Sequence, residues 1–270
     1  MGLRDALRAK LIRAVDEVVT ARGAEQAAQL RGELAALRAE IGELVTAQAD
    51  RVVAEVRSVE LRARRDLIAA GEREAAASSA RFLRAEMADA VALASPAATL
   101  EHALKLAPSG GLALEFGVYT GGTLSTIAAA RPGGAVFGFD SFAGLPETWR
   151  SGFRAGTIDA VREPPDVPGA ELVVGLFADT LPGFLDAHPG PVDLLHLDAD
   201  LYSSTATVLE LVGPRLRAGS VVVFDEFFNY PGWEQHEARA WREHVEATPG
   251  RTFRFEAFTF DNEQVVVRLT

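Results

Sequence analysis

The sequence predicts an α/β protein: a doubly wound, mostly parallel, seven-stranded sheet with a C-terminal antiparallel hairpin, preceded by a long helical, coiled-coil-like extension. Three observations carry this. From Leu112 onward, short apolar runs alternate with helix-compatible segments, the pattern of a parallel sheet. The last two runs, 252–260 and 264–269, are joined by Asp261-Asn262 with no room for a crossover helix, so they form a hairpin. All 13 prolines lie at or beyond Pro96, which sets residues 1–95 apart as a different kind of polymer.

The first 95 residues are rich in Ala, Arg, Glu, Leu and Val, with Phe82 as their sole aromatic residue. This is the composition of a long helix or coiled coil. Leu30, Leu34, Leu37, Ile41 and Leu44 step by 4, 3, 4, 3, and Val52, Val56 and Val59 resume after a break near Gln48. Either one extended helix or a folded-back pair fits. The expected role of 1–95 is homo-oligomerisation, because its charges are mixed rather than a basic, lipid-binding face. Ser95-Pro96 marks the expected boundary to a second domain, 96–270.

In that domain a helix is expected over 97–106 and a turn at Pro108-Ser109-Gly110-Gly111. Strand 112–116 leads to a helix near 123–130, and strand 136–140 to a long loop through Pro168. Strand 172–175 precedes a helix capped by Asp179 or Thr180. Strand 192–198 precedes a helix near 204–216, and strand 221–225 one near 233–245. Ligands of an open sheet sit beyond the carboxyl ends of its strands. Here those ends read Glu115, Asp140, Asp198 with Asp200, and Asp225 with Glu226.

The turn after the first strand, Gly117-Val118-Tyr119-Thr120-Gly121-Gly122, has the strand–glycine–helix form of a nucleoside site. Asp140, ending the next strand, is placed to hold the hydroxyls of a ribose. A dinucleotide fingerprint needs a glycine where Tyr119 stands, so pyrophosphate, and with it NAD, is disfavoured. S-adenosylmethionine has a ribose and no phosphate and is the expected ligand. Its candidate contacts are Glu115, Gly117, Tyr119, Gly121, Asp140 and Ser141.

Asp198 and the Asp225–Glu226 pair leave neighbouring strands, and hard oxygen donors converging from two strand ends suit Mg²⁺. Asp200, two residues past Asp198, is the candidate base for a hydroxyl that must lose its proton. From the residues alone, the roles of ligand and base interchange among these acids. A single carboxylate before a helix would be read as a cap, with Ser203 or Ser204 as equivalents. His196, inside a strand, reads as a hydrogen-bonded core residue. His236, at a helix entry, is a weaker cleft candidate.

Residues 1–95 carry 15 basic and 15 acidic side chains and the remainder 12 and 23, so the whole charge of −11 falls on the second part. That acidic balance disfavours nucleic acid. No run approaches a membrane span of about 20 apolar residues. The absence of cysteine suits a reducing cytoplasm.

Four stretches, EFGVYTGGTL, FGFDSFAGLPETW, LHLDADLYSST and VVVFDEFFNYPGW, resemble the macrocin O-methyltransferase family, metal-dependent sugar O-methyltransferases. The resemblance runs from about Leu112 to His244 and leaves 1–95 uncovered. It implies a class I methyltransferase fold, S-adenosylmethionine at Glu115, Gly117 and Asp140, metal at Asp198, Asp225 and Glu226, and a base at Asp200. The expected acceptor is a hydroxyl of a small molecule or glycosyl group. Two departures stand out: Asp-Glu replaces an Asp-Asp pair seen in several members, and Phe227-Phe228-Asn229-Tyr230 replaces a more polar turn. Two other readings remain, a metal-independent methyltransferase and a non-catalytic coiled-coil scaffold that only binds ligand.

Overall fold

The computed structural model describes residues 3–150, 152–158 and 163–270. Positions 1–2, in the expected helical extension, and 151 and 159–162, in the expected loop, lie outside the described residues. The chain forms two compact units, Met1–Asp66 and Leu67–Thr270. The first is one continuous helix, α1 (Leu3–Ala63), of 61 residues. The helix runs unbroken through Gln48, but residues 1–95 are not one helix, because a second begins at Leu67.

The second unit begins well before the expected boundary at 95/96. Helix α2 (Leu67–Glu86) belongs to it: Ala75 and Met87 are buried in the main core, with Phe82 and Leu83 packed alongside. Phe82 sits edge-on to Trp233 and Phe255, with ring centroids 5.4 and 5.6 Å away. Two serines complete the contact. Ser78 Oγ accepts from Trp233 Nε1 and Ser79 Oγ from the Asn229 amide, both at 2.8 Å. Ser95-Pro96 is the start of helix α3 (Pro96–Leu106) rather than a domain junction. Ser95 Oγ caps it by accepting from Ala98 N, and proline occupies a first-turn position where no donor is needed.

The seven expected strands form β2 (Leu112–Phe116), β3 (Val136–Asp140), β4 (Glu171–Val174), β5 (Val192–Leu197), β6 (Leu216–Phe224), β7 (Phe253–Thr259) and β8 (Val265–Leu269). An eighth, the three-residue β1 (Val91–Leu93), pairs parallel with β7 at the edge. The order is β1-β7-β8-β6-β5-β2-β3-β4, with β8 antiparallel to both neighbours. Side chains alternate between two cores. Leu114, Phe116, Leu195, Val222 and Phe224 face one side, which is covered by α5 (Phe177–Ala187), α6 (Tyr202–Val212) and α7 (Glu237–Ala247). Ala113, Leu194, Val221 and Val223 face the other, covered by α3 and α4 (Gly122–Ala130). Central strands β2 and β5 are buried along their full length, including the polar Glu115, Asp193 and His196 within them.

Several boundaries move. Helix α5 starts at Phe177, so Asp179 lies in its first turn and favours the helix dipole without capping it. Helix α6 starts at Tyr202, and neither Ser203 nor Ser204 caps it. The expected helix over 233–245 is a 3-10 turn, Trp233–Gln235, followed by α7.

Candidate active site

The order in which successive strands join the sheet reverses between the parallel neighbours β2 and β5, and a cleft of about 500 Å³ opens beyond the carboxyl ends of these strands. The sheet ladder continues into it. Gly117 N donates to Phe139 O, Asp198 N to Phe116 O and Asp225 N to Leu197 O, at 2.8–2.9 Å. The acids that end the strands are therefore held by main-chain bonds at adjoining positions.

On the β2–β3 side, both oxygens of Asp140 are engaged. Oδ2 accepts from the amides of Val118 and Tyr119, and Oδ1 from Phe142, at 2.8–2.9 Å. A carboxylate has about four acceptor sites, so one is left on a residue that lines the cleft. Gly117, Tyr119 and Ser141 line it too. Gly117 has φ 94°, and a Cβ there would fall 1.8 Å from the carbonyl oxygen of Asp198. Its glycine is required by the contact between two strand ends. Tyr119, Phe142, Ile158 and Asp200 all line the cleft with positive φ, a conformation costing roughly 1–2 kcal/mol per residue.

Two expected cofactor contacts are placed elsewhere. Glu115 is fully buried and its Oε1 pairs with His196 Nδ1 at 2.8 Å, beneath the cleft rather than on its wall. Gly121 caps α4 with φ 81°, packed against Val167 and Pro165, away from the lining residues. Of the three turn residues expected to meet the cofactor, Gly117 and Tyr119 line the cleft and Gly121 does not.

On the β5–β6 side, one carboxylate oxygen each from Asp198, Asp225 and Glu226 lie within 4.8 Å of one another. Burial, then Asp225, raises the Asp198 carboxyl well above the usual carboxylate range, with His196 opposing. Burial, then Asp198 and Asp225, raises Glu226 likewise. Glu226 Oε2 is buried with no hydrogen-bond partner among the described residues. Three hard-oxygen donors that repel one another, one with an unpaired buried atom, fit a divalent cation. His196 stands beside this cluster. Burial alone would lower its pKa, but the hydrogen bond and charge of Glu115, with Asp198 and Asp225, raise it to about 9. Its Nε2 lies 4.0 Å from Asp225 Oδ1. Gln264 Nε2 donates to that same Oδ1 at 3.2 Å.

Asp200 faces the cleft from beyond Asp198. Burial pushes its carboxyl up to about 7; Arg150 opposes this, and Asp225, Asp140 and Glu263 add to it. A carboxylate so tuned is matched to proton transfer near neutral pH.

Three groups were not visible in the sequence as site residues. The β3–β4 loop folds over the cleft through Leu145, Trp149 and Phe153, which pack with Leu201. Its Arg150 stacks on Trp149 (3.9 Å to the ring centroid) and Tyr230 (4.5 Å), and both Glu263 oxygens accept from Nη1 at 3.1 Å. Glu237 is fully buried, and its Oε2 accepts from the Glu226 amide at 3.0 Å. Gly175 to Ala178 close the far wall. An apolar Leu-Pro-x-x-Trp run inside a loop was the available signal for the first. His236 ends the 3-10 turn beside Tyr230 and does not line the cleft.

Strand order, the closing hairpin and the position of the cleft define a class I methyltransferase fold. Residues 114–227 match the family model Methyltransf_24, described as a methyltransferase domain. A curated relative is the 8-demethyl-8-(2,3-dimethoxy-alpha-L-rhamnosyl)-tetracenomycin-C 4'-O-methyltransferase of Streptomyces olivaceus, 32% identical over 138 residues. The match covers 42% of this chain and 52% of the relative, so the chain spans about half the length of the curated relative it matches. Among solved structures, the calicheamicin methyltransferase CalS11 superposes with a TM-score of 0.50 at 27% identity, covering 63% of this chain and 75% of that one. Among the described residues, no helix is long and apolar enough to cross a membrane.

Proposed function

We propose that the protein transfers the methyl group of S-adenosylmethionine to a hydroxyl of a sugar-bearing or other small molecule, assisted by a divalent cation such as Mg²⁺. The observation that carries this is the convergence of Asp198, Asp225 and Glu226 beside Asp200, across one cleft from Asp140. The tetracenomycin relative, whose name specifies a sugar 4'-O-methyltransferase, supports the acceptor class.

S-adenosylmethionine supplies an electrophilic methyl on a sulfonium centre. Asp140, with the acceptor site its backbone bonds leave over, would take the ribose hydroxyls, and Gly117, Tyr119 and Ser141 would shape the wall beside it. Asp198, Asp225 and Glu226 would hold the cation, which supplies the Lewis acidity that eases ionisation of a hydroxyl. Asp200 would take the acceptor's proton on its carboxylate. The β3–β4 loop would exclude water and align the acceptor for in-line attack, the contribution of positioning. The cysteine-free sequence supports work in a reducing cytoplasm. Helix α1 would mediate self-association, whereas α2 packs Ala75, Phe82 and Leu83 into the second unit.

The test is formation of S-adenosylhomocysteine with a panel of hydroxylated and glycosylated acceptors. Asp200→Asn should lower turnover about 10²–10⁴-fold, the usual loss of a general base, with Mg²⁺ affinity nearly unchanged. Asp225→Asn should weaken Mg²⁺ binding in calorimetry, and excess Mg²⁺ should restore part of the rate. Cofactor binding without turnover on any acceptor would favour the scaffold. Full activity in chelator would remove the metal.

A further inference from the structure

Helix α1 runs for 61 residues, about 90 Å at 1.5 Å per residue, and its large apolar side chains are exposed. Leu30, Leu34, Leu37, Ile41 and Leu44 are 52–64% exposed and fall on one stripe. Most helical stability in proteins comes from packing an apolar face. This stripe therefore calls for a partner.

Charges beside the stripe say which. Leu34 and Ile41 occupy one set of seam positions, and Leu30, Leu37 and Leu44 the other. Arg31 and Arg38 then flank one edge, and Glu33 and Glu40 the other. In a parallel pair of identical helices, each acidic edge meets the basic edge of the other copy, and Glu33 faces the partner's Arg38 five residues on. Symmetry makes that contact twice. An antiparallel pair sets like edges together, arginines against arginines and glutamates against glutamates. The next seam position is Gln48, the polar kind of residue that fixes register when it meets its own copy. Beyond Gln48 the stripe shifts by one residue, through Val52, Val56 and Val59, so the pairing argued here ends there.

We propose that residues 30–48 form a parallel, in-register, two-stranded coiled coil with a second copy of this chain. The proposal rests on the reading of α1 as a self-association element and specifies its partner, orientation and register.

The chain has no cysteine, so single cysteines report pairing directly in the full-length protein. Leu37→Cys sits on the seam, where an in-register parallel partner places the two Cα atoms within disulfide reach. It should oxidise to a covalent dimer, whereas Ala39→Cys, on the outer face, should not. Glu33→Arg should raise the dimer dissociation constant about tenfold in sedimentation, and adding Arg38→Glu should restore it. A wild-type dimer by light scattering whose Leu37→Cys form does not cross-link would overturn the parallel register while leaving self-association standing. A wild-type monomer at micromolar concentration would overturn both. A trimer or larger species would overturn the two-stranded assembly, and an unchanged Glu33→Arg dimer the charge pairing.

Discussion

Helix α2 braces the segment that follows the acidic pair, and the strength of that brace can be worked from its contacts. Phe82 is half-buried against Phe227, Trp233 and Phe255, with centroids 5.4–5.9 Å away. Full Phe→Ala truncation in a core costs about 3–5 kcal/mol, so a half-buried ring with three aromatic neighbours contributes about 2–4 kcal/mol. The hydrogen bonds from Trp233 Nε1 to Ser78 and from Asn229 N to Ser79 add about 1 kcal/mol each. Together α2 contributes about 4–6 kcal/mol, a large share of a typical 5–15 kcal/mol stability. Three proteins separate the possibilities in urea titration: the full chain, a form starting at Leu67 and a form starting at Ser95. The Leu67 form should keep the full chain's domain transition. The Ser95 form, which also loses β1, should unfold at much lower denaturant or fail to fold. Phe82→Ala in the full chain should lower the midpoint and also lower turnover, because Phe227 and Trp233 flank the loop after Glu226. A Ser95 form as stable as the Leu67 form would refute the brace.

Two further outcomes can be checked. Asp140→Asn should weaken S-adenosylmethionine binding about 10- to 100-fold in calorimetry, the worth of hydrogen bonds to a charged group, and unchanged affinity in a folded variant would remove the ribose assignment. Burial, then Arg251, lowers the pKa of His244, whose ring nitrogen lies 3.2 Å from Arg251 Nη1. The unfolded chain therefore takes up the proton first, so stability should fall as pH drops below about 6.5 and level off below the folded value. His244→Gln should flatten that slope in denaturation at pH 5–7.

From Leu112 to the end, the sheet was legible because its central strands are buried on both faces and end in acids. The metal-ligand candidates Asp198, Asp225 and Glu226 were legible because β5 and β6 are paired neighbours whose carboxyl ends converge. What escaped notice depends on contacts between distant segments. The residues of α2 share the Ala-Arg-Glu composition of α1, and only Phe82 hints that 67–86 packs against the sheet. Glu237 sits on a charged helix and reads as solvated, yet it is fully buried beneath Glu226. Arg150 lies 113 residues from Glu263, and no local pattern links the two. Glu115 looked like a ligand contact because it borders the glycine turn, and the pairing register of β2 with β5 sets it opposite His196 instead.

Gly117 carries a consequence for anyone altering this scaffold. Because the β2 turn rests on the main chain of Asp198, the separation between the two walls of the cleft is set by peptide groups. Side-chain exchange in the overhanging segment from Leu145 to Phe153 can reshape what the cleft admits without changing that spacing. A methyl group added at 117 would wedge the halves apart. The backbone acts as a ruler, and the side chains around the cleft can diversify while its width stays fixed.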